Sequence, residues 1–411
     1  MRCLLVAMFV AALGIFPSTT ELRAESGTLV IVGGGLEPDN DAVFAAFLDA
    51  RPSGSPSIAI IPAASGEPGR SARLFREALV RHGADPSQIE VVSLAVEDDA
   101  GTPDIDESTW VNNAHDPGEV DRIRRAGAIW FTGGDQSRIT RVLLDAKGGE
   151  TPMLTAIRQR LGEGAVIGGT SAGAAIMSDP MIIQGDTLAA LLPEEVGEPL
   201  EIGPGLGFLE GLVVDQHFGE RARLGRLAAV LLEDINPLRT GIGIDEDTAL
   251  VLRADATQAR VVGSGYVTFI DARQASRWPG ERFAASDFVV SLAASGDAID
   301  LASGEVTPAP FKSPTIGNEY YDVKPISGGG MALASASLAE VAGEALLDNS
   351  ATTSVERQSF AGNSGVTFRF SQTADSRGWW GRGPDDEARY ALEKIRFDIE
   401  ALEIEFRKAK H

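Results

Sequence analysis

Cysteine is almost missing from this 411-residue chain, which has only Cys3. Cys3 lies just ahead of an apolar run, Leu4 to Phe16, that follows Arg2 and gives way to the polar segment PSTTELRAES. That succession is the layout of a secretory signal peptide, and the run is shorter than the roughly 20 apolar residues a membrane-spanning helix needs. Cleavage is expected after Ala24, although Leu22 is large for the small-residue rule. Residues 1–24 are therefore set apart, and the location expected is secreted or periplasmic. The mature chain then has no cysteine, which excludes disulfides, a thiolate nucleophile and cysteine-ligated metal. Basic residues are also scarce, with 36 Lys and Arg against 59 Asp and Glu and a formal net charge of -23. Nucleic acid is disfavoured as a partner, because phosphate binding needs clustered cations. The acidic balance suits a cationic substrate or a merely solvated surface. No later stretch reads as transmembrane, so stable membrane insertion is not expected. No fixed-period repeat is present.

Hydrophobic residues make up 44% of the chain, enough for a sizeable core. Short β-branched runs alternate with helical patterns. Strands are expected at Thr28 to Val32, Ser57 to Pro62, Ile89 to Leu94, Ala128 to Thr132, Ala165 to Gly168, Leu212 to Asp215 and Gly241 to Ile244. Helices are expected near Asp39 to Ala50, Ser71 to His82, Ser137 to Ala146 and Arg221 to Leu232, with another before Ala165. Continuous apolar strands between helices indicate an α/β fold with a mostly parallel sheet covered on both faces. From Ala249 to about Val306 strands follow one another through short turns, which predicts an antiparallel edge to that sheet. The texture changes after Pro308, dividing the mature chain into residues 25–308 and an extension, 309–411. In the extension, Met331 to Leu347 reads as a helix and TADSRGWWGRGPDDE as loop. Leu392, Ile395, Ile399, Leu402 and Phe406 fall three or four apart, which predicts a terminal helix, although Phe397 and Ile404 also fit a two-residue alternation.

The chemistry-bearing stretch is AVIGGTSAGAAIM, residues 165–177. Gly169 to Gly173 matches G-x-S-x-G at the end of a strand, the spacing of a nucleophile elbow in which the serine sits at a sharp strand-to-helix turn. The plainer reading is a glycine-rich turn whose serine caps the helix. A serine nucleophile needs a base, and there are four histidines to choose from. His411 is terminal, His82 ends a helix pattern and His115 lies in a polar loop, whereas His217 follows the apolar strand GLVVDQ. The acid that would orient the imidazole is Asp186, Asp245 or Glu246, and the residues alone leave that choice open. Phe131-Thr132-Gly133-Gly134-Asp135-Gln136 offers unshielded amides for an oxyanion and a side chain, Gln136, that reaches substrate. VGGGLEP fails the dinucleotide pattern because Pro38 stands where the last glycine belongs.

Together FTGGDQ, IGGTSAGAAIM, MIIQGD, VDQHFGERARLGRL and GIGIDEDTAL, in this order, make residues 27–308 resemble the cyanophycinase branch of the peptidase E family of serine peptidases. The resemblance implies a flavodoxin-like, class I glutamine-amidotransferase-like sheet and a Ser-His-Glu set. It selects Ser171, His217 and Glu246, with Gly134 and Ala172 at the oxyanion-hole positions, and leaves Asp186 as a lining or structural residue. Gln136, Asp215, Gln216, Arg221, Arg223 and Arg226 match positions grouped around the substrate. No metal or cofactor is implied. The implied substrate is cyanophycin, a poly-aspartate bearing arginine on each β-carboxyl and released as β-Asp-Arg, or alternatively an α-aspartyl dipeptide; a homodimer is compatible with the family. A general esterase and a non-catalytic acidic polymer-binding protein are the rival readings. Arg223 and Arg226 share a helix face in this reading and suit bidentate capture of a substrate carboxylate.

Overall fold

The computed structural model describes residues 26–192, 197–280, 282–326, 328–333 and 336–405. The expected signal peptide and His411 lie outside them. Five strands, β1 (Thr28–Val32), β2 (Ile58–Ile61), β3 (Ile89–Val91), β4 (Ala128–Phe131) and β5 (Val166–Thr170), run parallel in the order β1-β5-β4-β2-β3. Alternate side chains of each strand leave on opposite faces, so β1 sends Val30 and Val32 into one core and Leu29 and Ile31 into another. The first core is covered by α1 (Asp41–Asp49) and α2 (Pro68–Arg81). The second is covered by α3 (Pro117–Arg125), α4 (Gln136–Leu143) and α5 (Pro152–Gly162). The fold is the flavodoxin-like α/β class.

Beyond β5 come a short helix, α6 (Ala172–Ala175), the hairpin of β6 (Met181–Gln184) and β7 (Glu201–Gly203), and a further helix, α7 (Thr187–Leu191), between those two strands. Next are β8 (Val213–Gln216), α8 (Leu224–Val230) and β9 (Thr240–Ile244). The strands β10 (Thr248–Arg253) and β11 (Gln258–Gly263) form the expected antiparallel edge beside β1. Two expectations fail here. First, β8 and β9 are parallel to each other but do not join the first sheet; β9 pairs antiparallel with β12 (Tyr266–Asp271). Second, the helix after His217 starts at Leu224 rather than Arg221, because Ala222 has φ 51° and breaks the helical path.

The second sheet continues from β12 to the strand Ala284–Ala294 and then to Ala388–Glu403, which also pairs with Ser364–Ser371 and Arg377–Arg382. The terminal segment is therefore a long strand and not a helix. Ile395, Phe397, Ile399 and Ala401 are buried at every second position, and that alternation outweighs the three-and-four spacing. The stretch read as loop carries the strand Arg377–Arg382, closed onto Ala388–Glu403 by the GPDDE turn. The helix expected over Met331 to Leu347 is shorter, Ala339–Leu347. A third core, beneath α7 and α8, is completed by Phe368, Phe370 and Phe397 of the extension.

Candidate active site

The site gathers at the carboxyl ends of β1, β4, β5, β8 and β9. Ser171 follows β5 directly and takes φ 55°, ψ -109°, a region costly to a residue with a Cβ. The glycines on either side make that turn possible. A Cβ on Gly169 would stand 2.5 Å from the Gly173 carbonyl oxygen, and one on Gly173 would stand 2.5 Å from that of Phe131. Ser171 Oγ lies 2.7 Å from His217 Nε2, and His217 Nδ1 lies 2.5 Å from Glu246 Oε1. With the imidazole proton on Nδ1 and donated to Glu246, Nε2 is free to accept from the serine hydroxyl. His217 is buried and burial lowers its pKa below the ordinary 6.5, an effect that Glu246 opposes and Arg221 and Arg223 reinforce.

Three consecutive carbonyls, from the last residue of β1 onward, hold these segments. Val32 accepts from the Ser171 amide at 3.1 Å, Gly33 from that of His217 at 2.6 Å, and Gly34 from that of Asp247 at 2.8 Å. The glycines of VGGG are thus needed for close approach: a Cβ on Gly35 would lie 2.6 Å from Glu246 Oε2. Read only as a failed nucleotide motif, this stretch was the part of the site that sequence reasoning missed. Its signal was three glycines at a strand's carboxyl end.

The other two acids have different duties. Asp186 caps α7, accepting from the Ala189 amide at 2.8 Å, and also accepts from that of Glu198 at 2.8 Å. Asp245 accepts from the Gly219 and Tyr266 amides at 2.8 and 3.0 Å, fastening the turn after His217. Desolvation and the nearby Glu220 push its carboxyl up to about 7, against the pull of those two donors.

A polar cleft of about 750 Å³ opens beside Ser171 and His217, with Gly134, Gln136, Gln216, Arg221, Arg223 and Arg226 on its walls. Asp215 lies behind it. The buried Arg226 clasps Asp215 through Nε at 3.0 Å and through Nη2, and its Nη1 donates to the Gly185 carbonyl at 2.5 Å. Its guanidinium is committed to the protein, so the bidentate partner of Arg226 is Asp215. Arg223 is held by the Gln216 carbonyl at 2.5 Å and Gln216 Oε1 at 2.7 Å, and burial draws its guanidinium down to about 10, still charged at neutral pH. Arg221 is exposed on the turn. Gln136 donates to the Ile182 carbonyl at 3.0 Å and to that of Ile183, which fixes the β6 segment to α4. Ala172 is the first residue of α6, so its amide has no acceptor within the helix. Glu198 and Glu201, which sequence reasoning did not single out, line the same cleft and are exposed. Among the described residues no cluster of His, Cys, Asp and Glu could hold a metal ion, and no helix is long and apolar enough to cross a membrane.

A doubly covered parallel sheet with a serine elbow at a strand's carboxyl end defines the class, an α/β serine peptidase. More particularly, the chain belongs to Peptidase family S51, whose model matches residues 29–260. It is 34% identical over 264 residues to the cyanophycinase of Synechococcus elongatus, covering 64% of this chain and 73% of that protein. The same identity over 264 residues relates it to the cyanophycinase of Geminocystis herdmanii, covering 64% and 86% respectively. A solved peptidase from an acI-B1 Actinobacterium aligns with a TM-score of 0.46 at 23% identity, over 68% of this chain and 98% of the other.

Proposed function

We propose that this peptidase hydrolyses cyanophycin to β-Asp-Arg by a Ser171-His217-Glu246 mechanism. The observation that carries the reading is the unbroken relay from Ser171 Oγ through both nitrogens of His217 to Glu246, opening onto an arginine-lined cleft. Ser171 attacks the aspartyl carbonyl while His217 takes its proton, and Glu246 holds the imidazolium that forms. The amides of Gly134 and Ala172 receive the oxyanion. The leaving amine collects the proton from His217, and water then releases the acyl group by the reverse transfer. Arg221 and Arg223 supply fixed positive charge for substrate carboxylates, while Glu198 and Glu201 suit arginyl groups. That juxtaposition of both signs favours the arginine-bearing polymer over a free α-aspartyl dipeptide.

Purified mature protein should clear a cyanophycin suspension with β-Asp-Arg as the product by mass, and folded Ser171→Ala should lose nearly all of that turnover. Undiminished clearing by Ser171→Ala defeats the mechanism. Rapid cleavage of Asp-X dipeptides with intact cyanophycin transfers the substrate to the dipeptidase reading. Export to the periplasm or medium belongs to the same proposal and rests on residues 1–24; a native N-terminus near Glu25 is expected, and retention of Met1 on cytoplasmic material contradicts it. A homodimer rests on the family resemblance, and light scattering decides it.

A further inference from the structure

The second sheet carries a groove of about 90 Å³ whose lining residues all lie beyond residue 260, where the match to Peptidase family S51 ends. Its floor is formed by three neighbouring strands, Ala284–Ala294, Ala388–Glu403 and Ser364–Ser371. Arg396, Asp398 and Glu400 take alternate positions along the middle strand, so they leave it on one face, roughly 6.6 Å apart. Arg369 stands opposite Asp398 in the adjoining strand. On the other side Ser286 and Asp287 together oppose Asp398, a bulge that aims Asp287, with φ 67°, at Arg396. Both arginines are held in exposed pairs, Arg369 with Glu356 at 2.7 Å and Arg396 with Asp398 at 3.1 Å and Asp287 at 3.2 Å. Glu400 is exposed and makes no ion pair among the described residues. Trp278 forms the rim and is 57% exposed, while the neighbouring Arg277 lies over Phe283 instead of over this indole.

We propose that this groove is a second polymer-binding site, which holds arginyl groups of cyanophycin while Ser171 works elsewhere on the same chain. The inference rests on cyanophycin being the substrate. Each pendant arginine, linked through its α-amine, keeps a guanidinium and a free α-carboxylate. The guanidinium lies over the Trp278 indole with Glu400 as its counter-ion, a cation–π contact. The carboxylate takes the fork of Arg369 or Arg396, displacing an exposed ion pair that contributes little. An extended polyaspartate repeats its side chains on one side at every second residue, the period of Arg396, Asp398 and Glu400, so successive pendants meet successive charges. The groove is remote from the reacting groups. Ile244, at the carboxyl end of β9, pairs with Val267 and Val267 with Ala293, whereas the groove lies at the Ala284 end of that strand, roughly 25 Å further along. A polymer segment on the order of ten aspartyl residues spans both places. Attachment at the groove then raises the concentration of polymer at the cleft without any new contact there.

The test measures co-sedimentation of Ser171→Ala protein with a cyanophycin suspension, alone and combined with Trp278→Ala or Glu400→Gln. Each added change should weaken retention by about 10-fold, the low end of what losing one of two linked sites does. Trp278→Tyr should restore most of it, since Tyr also offers a ring face to a cation. In protein that keeps Ser171, the same changes should slow clearing of the suspension and leave kcat/KM on a soluble two-unit fragment within two-fold of wild type. Both side chains are exposed, so melting temperatures should stay native. Equal retention of all variants, or equal retention by polyaspartate without arginine, overturns the proposal. So does a parallel loss on the soluble fragment, which would place the effect at the cleft, or a shift from dimer to monomer in light scattering with retention unchanged, which would make the face a subunit contact. If wild type fails to clear the polymer, the proposed function falls; retention of Ser171→Ala and its loss on Trp278→Ala still decide the groove.

Discussion

Gly34 lies so close to His217 that a Cβ built on it would stand 2.2 Å from the imidazole Cε1. No side chain fits there, and φ of +119° penalises any residue but glycine. Gly34→Ala should therefore displace the ring rather than the fold. A shift of about 1 Å at a reacting group is worth roughly 10²-fold in rate, so kcat is expected to fall at least that far while circular dichroism stays native. Activity within a few-fold of wild type would mean that the imidazole does not work from this position.

The proposed base acts in its neutral form. Burial lowers the His217 pKa, and Glu246 opposes that shift. Neutral imidazole is lost only as pH falls through the lowered value, so the acid limb of kcat/KM should lie below pH 6.5 with a plateau above it. Glu246→Gln removes the opposing influence and should move the limb to still lower pH. A wild-type limb above 6.5 contradicts this electrostatic account.

Among the three candidate acids Asp186, Asp245 and Glu246, Glu246 alone hydrogen-bonds the His217 ring. Glu246→Gln should cost turnover on the order of 10⁴-fold, as expected where the acid fixes the imidazole tautomer. Asp186→Asn should leave turnover near wild type, since Asn caps a helix as well as Asp does. Parallel kinetics of the two variants decide the matter, and a larger loss in Asp186→Asn reverses the assignment.

Arg223 and Arg226 should fail in different ways. Removing Arg226 strips the buried Asp215 of its main partner, a change that costs about 3–5 kcal/mol in comparable pairs. Thermal denaturation should show Arg226→Ala as the less stable variant. Arg223→Ala should mainly raise KM for the polymer relative to a small activated ester. Equal melting temperatures for the two would remove the structural role given to Arg226.

Much of this arrangement was legible beforehand, for physical reasons that differ by element. Four of the five parallel strands are buried on both faces and read as apolar runs, the exception being β3 with Glu90, and β1, β4 and β5 end where glycine-rich stretches begin. Ser171, His217 and Glu246 each stand one or two residues past such a run. The partner of Arg226 was not legible: Asp215 lies eleven positions upstream, and only the folded path from β8 to α8 turns its carboxylate towards that guanidinium. Nor could spacing assign β8 and β9 to a sheet, since parallel apolar strands look alike whichever neighbour they take. The terminal strand was misread because Lys394, with φ 54°, and register shifts opposite Ala284–Ala294 disturb its alternation.

Ser171 follows a strand of the first sheet, whereas His217 and Glu246 follow β8 and β9 of the second. That second sheet is closed on its far side by residues 364–403. A nascent chain that has emerged only as far as Glu246 already contains every proposed reacting group, yet it lacks the strands that support two of them. The placement of two of the three proposed reacting groups thus depends on strands far downstream of them in the chain.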